Sequence, residues 1–122
     1  VDAIEISVGL SGPRVRSDAT TAEPRHEAIY WPWAEAARAA TQLPILLVGG
    51  IRTRAVMEEI LASGDAQFIS LCRPLICEPD LPHHLRNGQI RSSCVSGNRC
   101  WPEQGETGIA CKCPGVSRPP AP

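Results

Sequence analysis

The run Pro44-Ile-Leu-Leu-Val-Gly-Gly50 constrains this chain more than any other segment. It is continuously apolar rather than alternating, and paired glycines stop it, so it reads as a short parallel strand buried on both faces. Such a strand needs cover on each side, and the flanking sequence supplies it. Downstream, Val56, Met57, Ile60 and Leu61 recur at helical spacing between Thr53, suited to capping, and Gly64, suited to termination. Upstream, Ile29, Trp33, Ala37 and Ala40 mark an amphipathic helix within residues 28–41, and Pro32 favours a start near Trp31.

Two further strands complete the pattern. Residues 1–9 alternate apolar and polar positions and end at a glycine, and Phe68-Ile-Ser-Leu-Cys72 forms another apolar run before Arg73-Pro74. A short helix is expected over residues 81–86, ended by Gly88. Strand, helix, strand, helix, strand is the order of a parallel sheet built from βαβ units, so the fold class is α/β. Residues 10–27 are rich in Ser, Thr, Pro and Arg without helical period and read as a long exposed loop.

At 43% hydrophobic residues, the 122-residue chain can bury one modest core. Its net charge of -1, with scattered Lys and Arg, excludes a nucleic-acid stripe or a polybasic membrane patch. Its apolar runs fall well short of the roughly 20 residues a membrane-spanning helix needs. Val1 lies inside an apolar stretch, so the chain is expected to be a piece of a longer polypeptide, in a reducing cytoplasm.

Chemistry can collect at two places. In eight-stranded (β/α) barrels, loops after the last two strands commonly bind a phosphate: glycines bring it close to backbone N–H groups, and an arginine adds a charge-assisted pair. Gly49, Gly50, Cys72 and Arg73 are the candidates for such a site. The competing reading makes Gly49-Gly50 a tight strand-to-helix turn and Arg73 a surface residue. The second place is Cys94-x5-Cys100-x10-Cys111-x-Cys113, whose thiols suit zinc or an iron–sulfur cluster, or else remain free. Cys72 and Cys77 read as small buried residues, and His26, His83 and His84 as surface polar groups. Trp31 and Trp33 are expected to pack the outer helix and Trp101 to cover the cysteine segment.

Pro44-Ile-Leu-Leu-Val-Gly-Gly-Ile-Arg-Thr53, Met57-Glu-Glu-Ile-Leu61, Gly64-Asp-Ala66, Phe68-Ile-Ser-Leu-Cys-Arg-Pro-Leu-Ile76 and Glu78-Pro-Asp-Leu81 together resemble the last two βα units of the NADH:flavin oxidoreductase/NADH oxidase family, old yellow enzyme-like. The resemblance implies the last three βα units of a TIM (β/α)8 barrel over residues 1–88, a Cys-rich extension over 89–116 and a loose tail over 117–122. It further implies FMN, its phosphate held at Gly49, Gly50, Cys72 and Arg73, and NAD(P)H as reductant for a small-molecule substrate such as an electron-poor alkene. The family's catalytic groups lie mainly on earlier strands, so no catalytic residue is assigned and the piece alone is expected to be inactive without the missing N-terminal half of the barrel. The alternatives are another phosphate-binding barrel enzyme, or a small Cys-rich metal-binding or interaction module.

Ser93-Cys-Val-Ser-Gly-Asn-Arg-Cys-Trp101 resembles the cluster motif of the 2,4-dienoyl-CoA reductase-type branch. That branch holds a 4Fe-4S cluster on three closely spaced cysteines and a later fourth. Gly97 stands where the middle cysteine is expected, leaving Cys94, Cys100, Cys111 and Cys113 as the metal candidates.

Overall fold

The computed structural model describes residues 1–7, 27–97, 99–103, 105 and 107–114. Residues 10–26 of the loop expected over 10–27, with His26, and the tail over 117–122 lie outside them. Three parallel strands, β1 (Ile4–Ile6), β2 (Ile45–Leu47) and β3 (Phe68–Ile69), form one sheet in the order β1-β2-β3. The register pairs Ile4 with Ile45 and Leu47 with Ile69. β2 is the central strand, as its unbroken apolar run requires, with Ile45 and Leu47 fully buried. Burying each contributes about 1.5–3 kcal/mol.

Helix α1 (Trp31–Ala40) is alanine-rich, and Pro32 lies in its first turn, where a missing N–H costs no hydrogen bond. Thr41 ends it in an extended conformation. Ala34 on its inner face joins Ile45, Leu47, Ile51, Met57 and Ile60 in the core. Trp31 packs on that core and donates its indole N–H to Asp65 at 2.7 Å, tying α1 to the turn after α2 (Arg54–Ser63). Trp33 does not pack inward: it is 57% exposed and lies against Tyr30, with ring centroids 5.3 Å apart.

Gly64 closes α2 in the left-handed conformation (φ 81°) that its identity suggested. Thr53 occupies the N-cap position but does not cap, because its hydroxyl donates to Glu27 instead. Leu61, expected on the apolar face, is 45% exposed. β3 is shorter than expected, and the chain turns at Cys72 into α3 (Arg73–Cys77), a helix that sequence patterning did not indicate. The expected helix over 81–86 is present as α4 (Leu81–Arg86). Among the described residues no helix is long and apolar enough to cross a membrane.

Gly49 shows why β2 must end in glycine. Its φ is 134°, and a Cβ there would lie 2.6 Å from the Tyr30 ring. Tyr30 sits at the start of α1, and the adjacent Ile29 donates its N–H to the Gly49 carbonyl at 3.1 Å. Gly49→Ala is therefore expected to cost about 2–4 kcal/mol, combining backbone strain with overpacking. Gly64→Ala, where a Cβ meets nothing within 4 Å, is expected to cost only the left-handed strain of about 1–2 kcal/mol. Urea denaturation of both variants checks the order, and equal losses would refute the steric account.

Candidate functional site

The parallel register brings two chain segments out at one edge of the sheet. Because Leu47 pairs with Ile69 and Ser70 donates its N–H to the Leu47 carbonyl, Gly49-Gly50 and Leu71-Cys72 leave adjacent strand ends. Gly50 also has positive φ, 72°. Cys72 is exposed, correcting its expected burial: it sits at the turn into α3, on the solvent side of the strand end. Arg73 opens α3 and points its guanidinium toward the cysteine segment, donating from Nη1 to the Ser96 carbonyl at 3.3 Å. Three of the four phosphate candidates thus share the strand-end edge, and the fourth reaches from it toward the thiols.

Below the glycine turn lies a carboxylate that sequence reading placed only at the end of a loop. Glu27 is buried, and its Oε2 accepts the backbone N–H groups of Arg52 and Thr53, each at 2.8 Å. Its Oε1 accepts the Thr53 hydroxyl at 2.7 Å and lies 3.8 Å from both Arg52 Nε and Arg91 Nη2. Arg52 is buried as well. Desolvation, then the charge of Arg91, lowers its pKa, and Glu27 opposes them. These contacts join residues 25 or more positions apart, which no local pattern reveals.

A second carboxylate docks the cysteine segment. Glu78 accepts hydrogen bonds from Gln89 Nε2 at 2.8 Å, from the Ser92 hydroxyl at 2.7 Å and from the Ser93 N–H. The segment also lies antiparallel to the start of α2. Thr53 bridges to Arg91, Arg54 N–H reaches the Ile90 carbonyl, and Ser92 N–H reaches the Arg52 carbonyl, the last two at 2.9 Å.

So anchored, the segment folds back on itself, with Ala110 N–H on the Cys100 carbonyl and Lys112 N–H on the Arg99 carbonyl. Cys94, Cys100 and Cys111 are buried, Cys113 is half-buried, and Cys77 from the end of α3 packs against Cys94 and Cys111. Burial, then the neighbouring Cys111 and Cys94, pushes the Cys77 thiol up to about 12. Burial likewise raises Cys100 and Cys113.

A cavity of about 10 Å³ is lined by Cys94, Cys100, Cys111 and Cys113 together with Arg73 and Arg99. The four metal candidates therefore share one cavity, although among the described residues no three His, Cys, Asp or Glu already stand in a metal-holding arrangement. Trp101 is partly exposed and does not line the cavity. His83 and His84 are exposed on α4, as expected.

Known proteins match this chain over part of its length. An NADH-dependent flavin oxidoreductase of Neonectria sp. (strain DH2) is 34% identical over 92 residues, covering 67% of the chain and 12% of the relative. One from Talaromyces variabilis is 37% identical over 90 residues, covering 67% and 22%. An NADH oxidase of Thermoanaerobacter brockii is 35% identical over 68 residues, covering 53% and 10%.

The chain belongs to the NADH:flavin oxidoreductase/NADH oxidase family. It spans between 10% and 22% of the length of these relatives. No family model matches it, and no solved structure matches it significantly.

The docking of the family member's cysteine segment is pH-dependent by construction. Burial tends to raise the Glu78 carboxyl, but the hydrogen bonds from Gln89, Ser92 and Ser93 outweigh it and hold the pKa below the ordinary 4.5. The stabilisation is thus fully present above that ordinary value and disappears as pH falls through the depressed folded value. The stability gap between the native protein and Glu78→Gln is expected to be constant near neutrality and to close in acid. A gap unchanged down to the unfolding pH would refute this account.

Proposed function

We propose that this chain is the FMN-phosphate end of a (β/α)8-barrel oxidoreductase that takes hydride from NAD(P)H and passes it to an electron-poor alkene or similar small acceptor. The supporting observation is the register of β2 and β3, which releases a glycine pair and the Cys72-Arg73 turn side by side at one sheet edge. Adjacent C-terminal strand ends are where barrel enzymes bind phosphate. The names of the relatives supply the flavin and the nicotinamide.

The residues present suit the group. The positive φ of Gly49 and Gly50 produces a backbone turn that only glycine adopts readily. Gly49, Gly50 and Cys72 would hold the phosphate through backbone N–H groups, and Arg73 would add charge-assisted hydrogen bonds on turning its guanidinium from the Ser96 carbonyl. Flavin, when bound, supplies the redox chemistry, and the protein binds and orients it. The outer sides of β1 and β3 have no strand partner among the described residues, and Phe68 on β3 is 55% exposed. Both features accord with a sheet continued by further strands of a barrel. A reducing, cytoplasmic setting accords with six unpaired cysteines.

Comparison of FMN with riboflavin, which lacks the phosphate, tests the assignment in the intact polypeptide that carries this segment. FMN is expected to bind more tightly. Arg73→Ala should weaken FMN about ten- to hundred-fold, equivalent to about 1.5–3 kcal/mol, while leaving riboflavin unchanged. Equal loss for both flavins, or none for FMN, would place the phosphate elsewhere.

A further inference from the structure

The stretch from Glu27 to Tyr30 meets the glycine turn at three places. Just after the turn, Glu27 Oε2 accepts the N–H groups of Arg52 and Thr53, each at 2.8 Å. At its start, Ile29 donates its N–H to the Gly49 carbonyl at 3.1 Å. The Tyr30 ring lies against Gly49, 2.6 Å from where a Cβ would stand. Residues 49–53 are thus braced at both ends by one short stretch of chain. None of these contacts uses the N–H groups of Gly49, Gly50 or Cys72, so the brace and a phosphate on those amides can exist together.

The brace is strained. Ala28 is buried and has a φ of 52°, which turns the chain between the Glu27 carboxylate and the Ile29 N–H. A residue other than glycine takes this left-handed conformation at a cost in free energy, and such strain persists where surrounding contacts fix it, typically beside binding sites. The other non-glycine residue with positive φ among those described is Ser96, at 53°, and its carbonyl receives Arg73. Both strained positions therefore adjoin residues assigned to the phosphate.

We propose that Glu27 and Tyr30 are positioning residues for the flavin phosphate: they fix the direction of the Gly49 and Gly50 N–H groups and so set how much the phosphate adds to flavin binding. The proposal rests on the phosphate assignment above and adds two residues that act through the turn. A carboxylate suits position 27 because every group it meets is a donor. These are two backbone N–H groups, the Thr53 hydroxyl, and the guanidinium groups of Arg52 and Arg91 at 3.8 Å. A glutamine of the same length would turn its own N–H donors toward one set of them. Amides already held in place bind an anion more tightly than amides that the anion must order.

The readout is the ratio of the riboflavin to the FMN dissociation constant, from fluorescence titration of the intact polypeptide that carries this segment. Glu27→Gln should lower that ratio at least about five-fold, the lower end of couplings between separate sites, by weakening FMN and leaving riboflavin unchanged. Tyr30→Ala, which removes the ring from Gly49 and keeps the buried carboxylate, should lower it in the same way. Tyr30→Phe, which restores the ring, should keep the native ratio. The two Tyr30 variants carry the test if Glu27→Gln does not fold. Equal affinity for both flavins in the native protein, or a preference that Arg73→Ala leaves intact, would remove the phosphate assignment and this proposal with it. If Arg73→Ala lowers the ratio but a folded Glu27→Gln or Tyr30→Ala does not, the assignment stands and the proposal is overturned. Equal weakening of both flavins in those two variants, the mark of a merely structural role, would overturn it as well.

Discussion

A carboxylate shut away from water sits where β2 gives way to α2, and the arrangement of the molecule follows from it. Glu27 satisfies two backbone N–H groups and a hydroxyl at the start of α2, and opposes two arginines. A buried carboxylate is tolerated only when its lone pairs are used, and here they are used by groups that would otherwise be unpaired at a helix start. Deleting one partner of such a buried pair leaves the other uncompensated, a loss of about 3–5 kcal/mol. The contact fixes the approach to α1, the path of the glycine turn and the position of Arg91 together.

Arg91 carries the constraint onward. It belongs to the segment that Glu78 and the edge of Thr53 hold in place, so the cysteines are positioned relative to the strand ends rather than hanging from α4. Arg73 completes the connection from the other side, starting at the strand-end edge and reaching the Ser96 carbonyl. Strand-end edge and thiol cavity are thus two sides of one structure. The polar network between them is specific because each buried donor must find its acceptor.

What could be read from sequence was what depends on near neighbours. The apolar run of β2, the spacing of Val56, Met57 and Ile60, and Gly64 as a terminator each follow from local periodicity, and each appears as expected. Thr53 stands at the N-cap position as its type suggests, but its hydroxyl does not cap, because an acceptor 26 residues away competes for it and the distant carboxylate wins. α3 escaped notice because five residues with an early proline carry no periodic signal. The four cysteines were recognisable as a set. Their shared cavity and the approach of the Cys113 sulfur to Gly97 depend on the pairing of residues 99–100 with 110–112, which spacing alone does not encode.

The parallel sheet also sets an order of assembly. Pairing β2 with β3 joins Leu46 to Phe68 across 22 positions, whereas pairing β1 with β2 joins Ile4 to Ile45 across 41. Closing the longer loop costs only about 0.6 kcal/mol more in chain entropy, but the shorter one is also spanned by α2, which forms locally. The β2-α2-β3 unit is therefore the part able to organise first, with β1 and α1 added to an existing surface. Glu27 lies just before α1, so its clamp joins that element to the start of α2 and adds to the β2-α2-β3 unit a contact that the unit does not contain by itself.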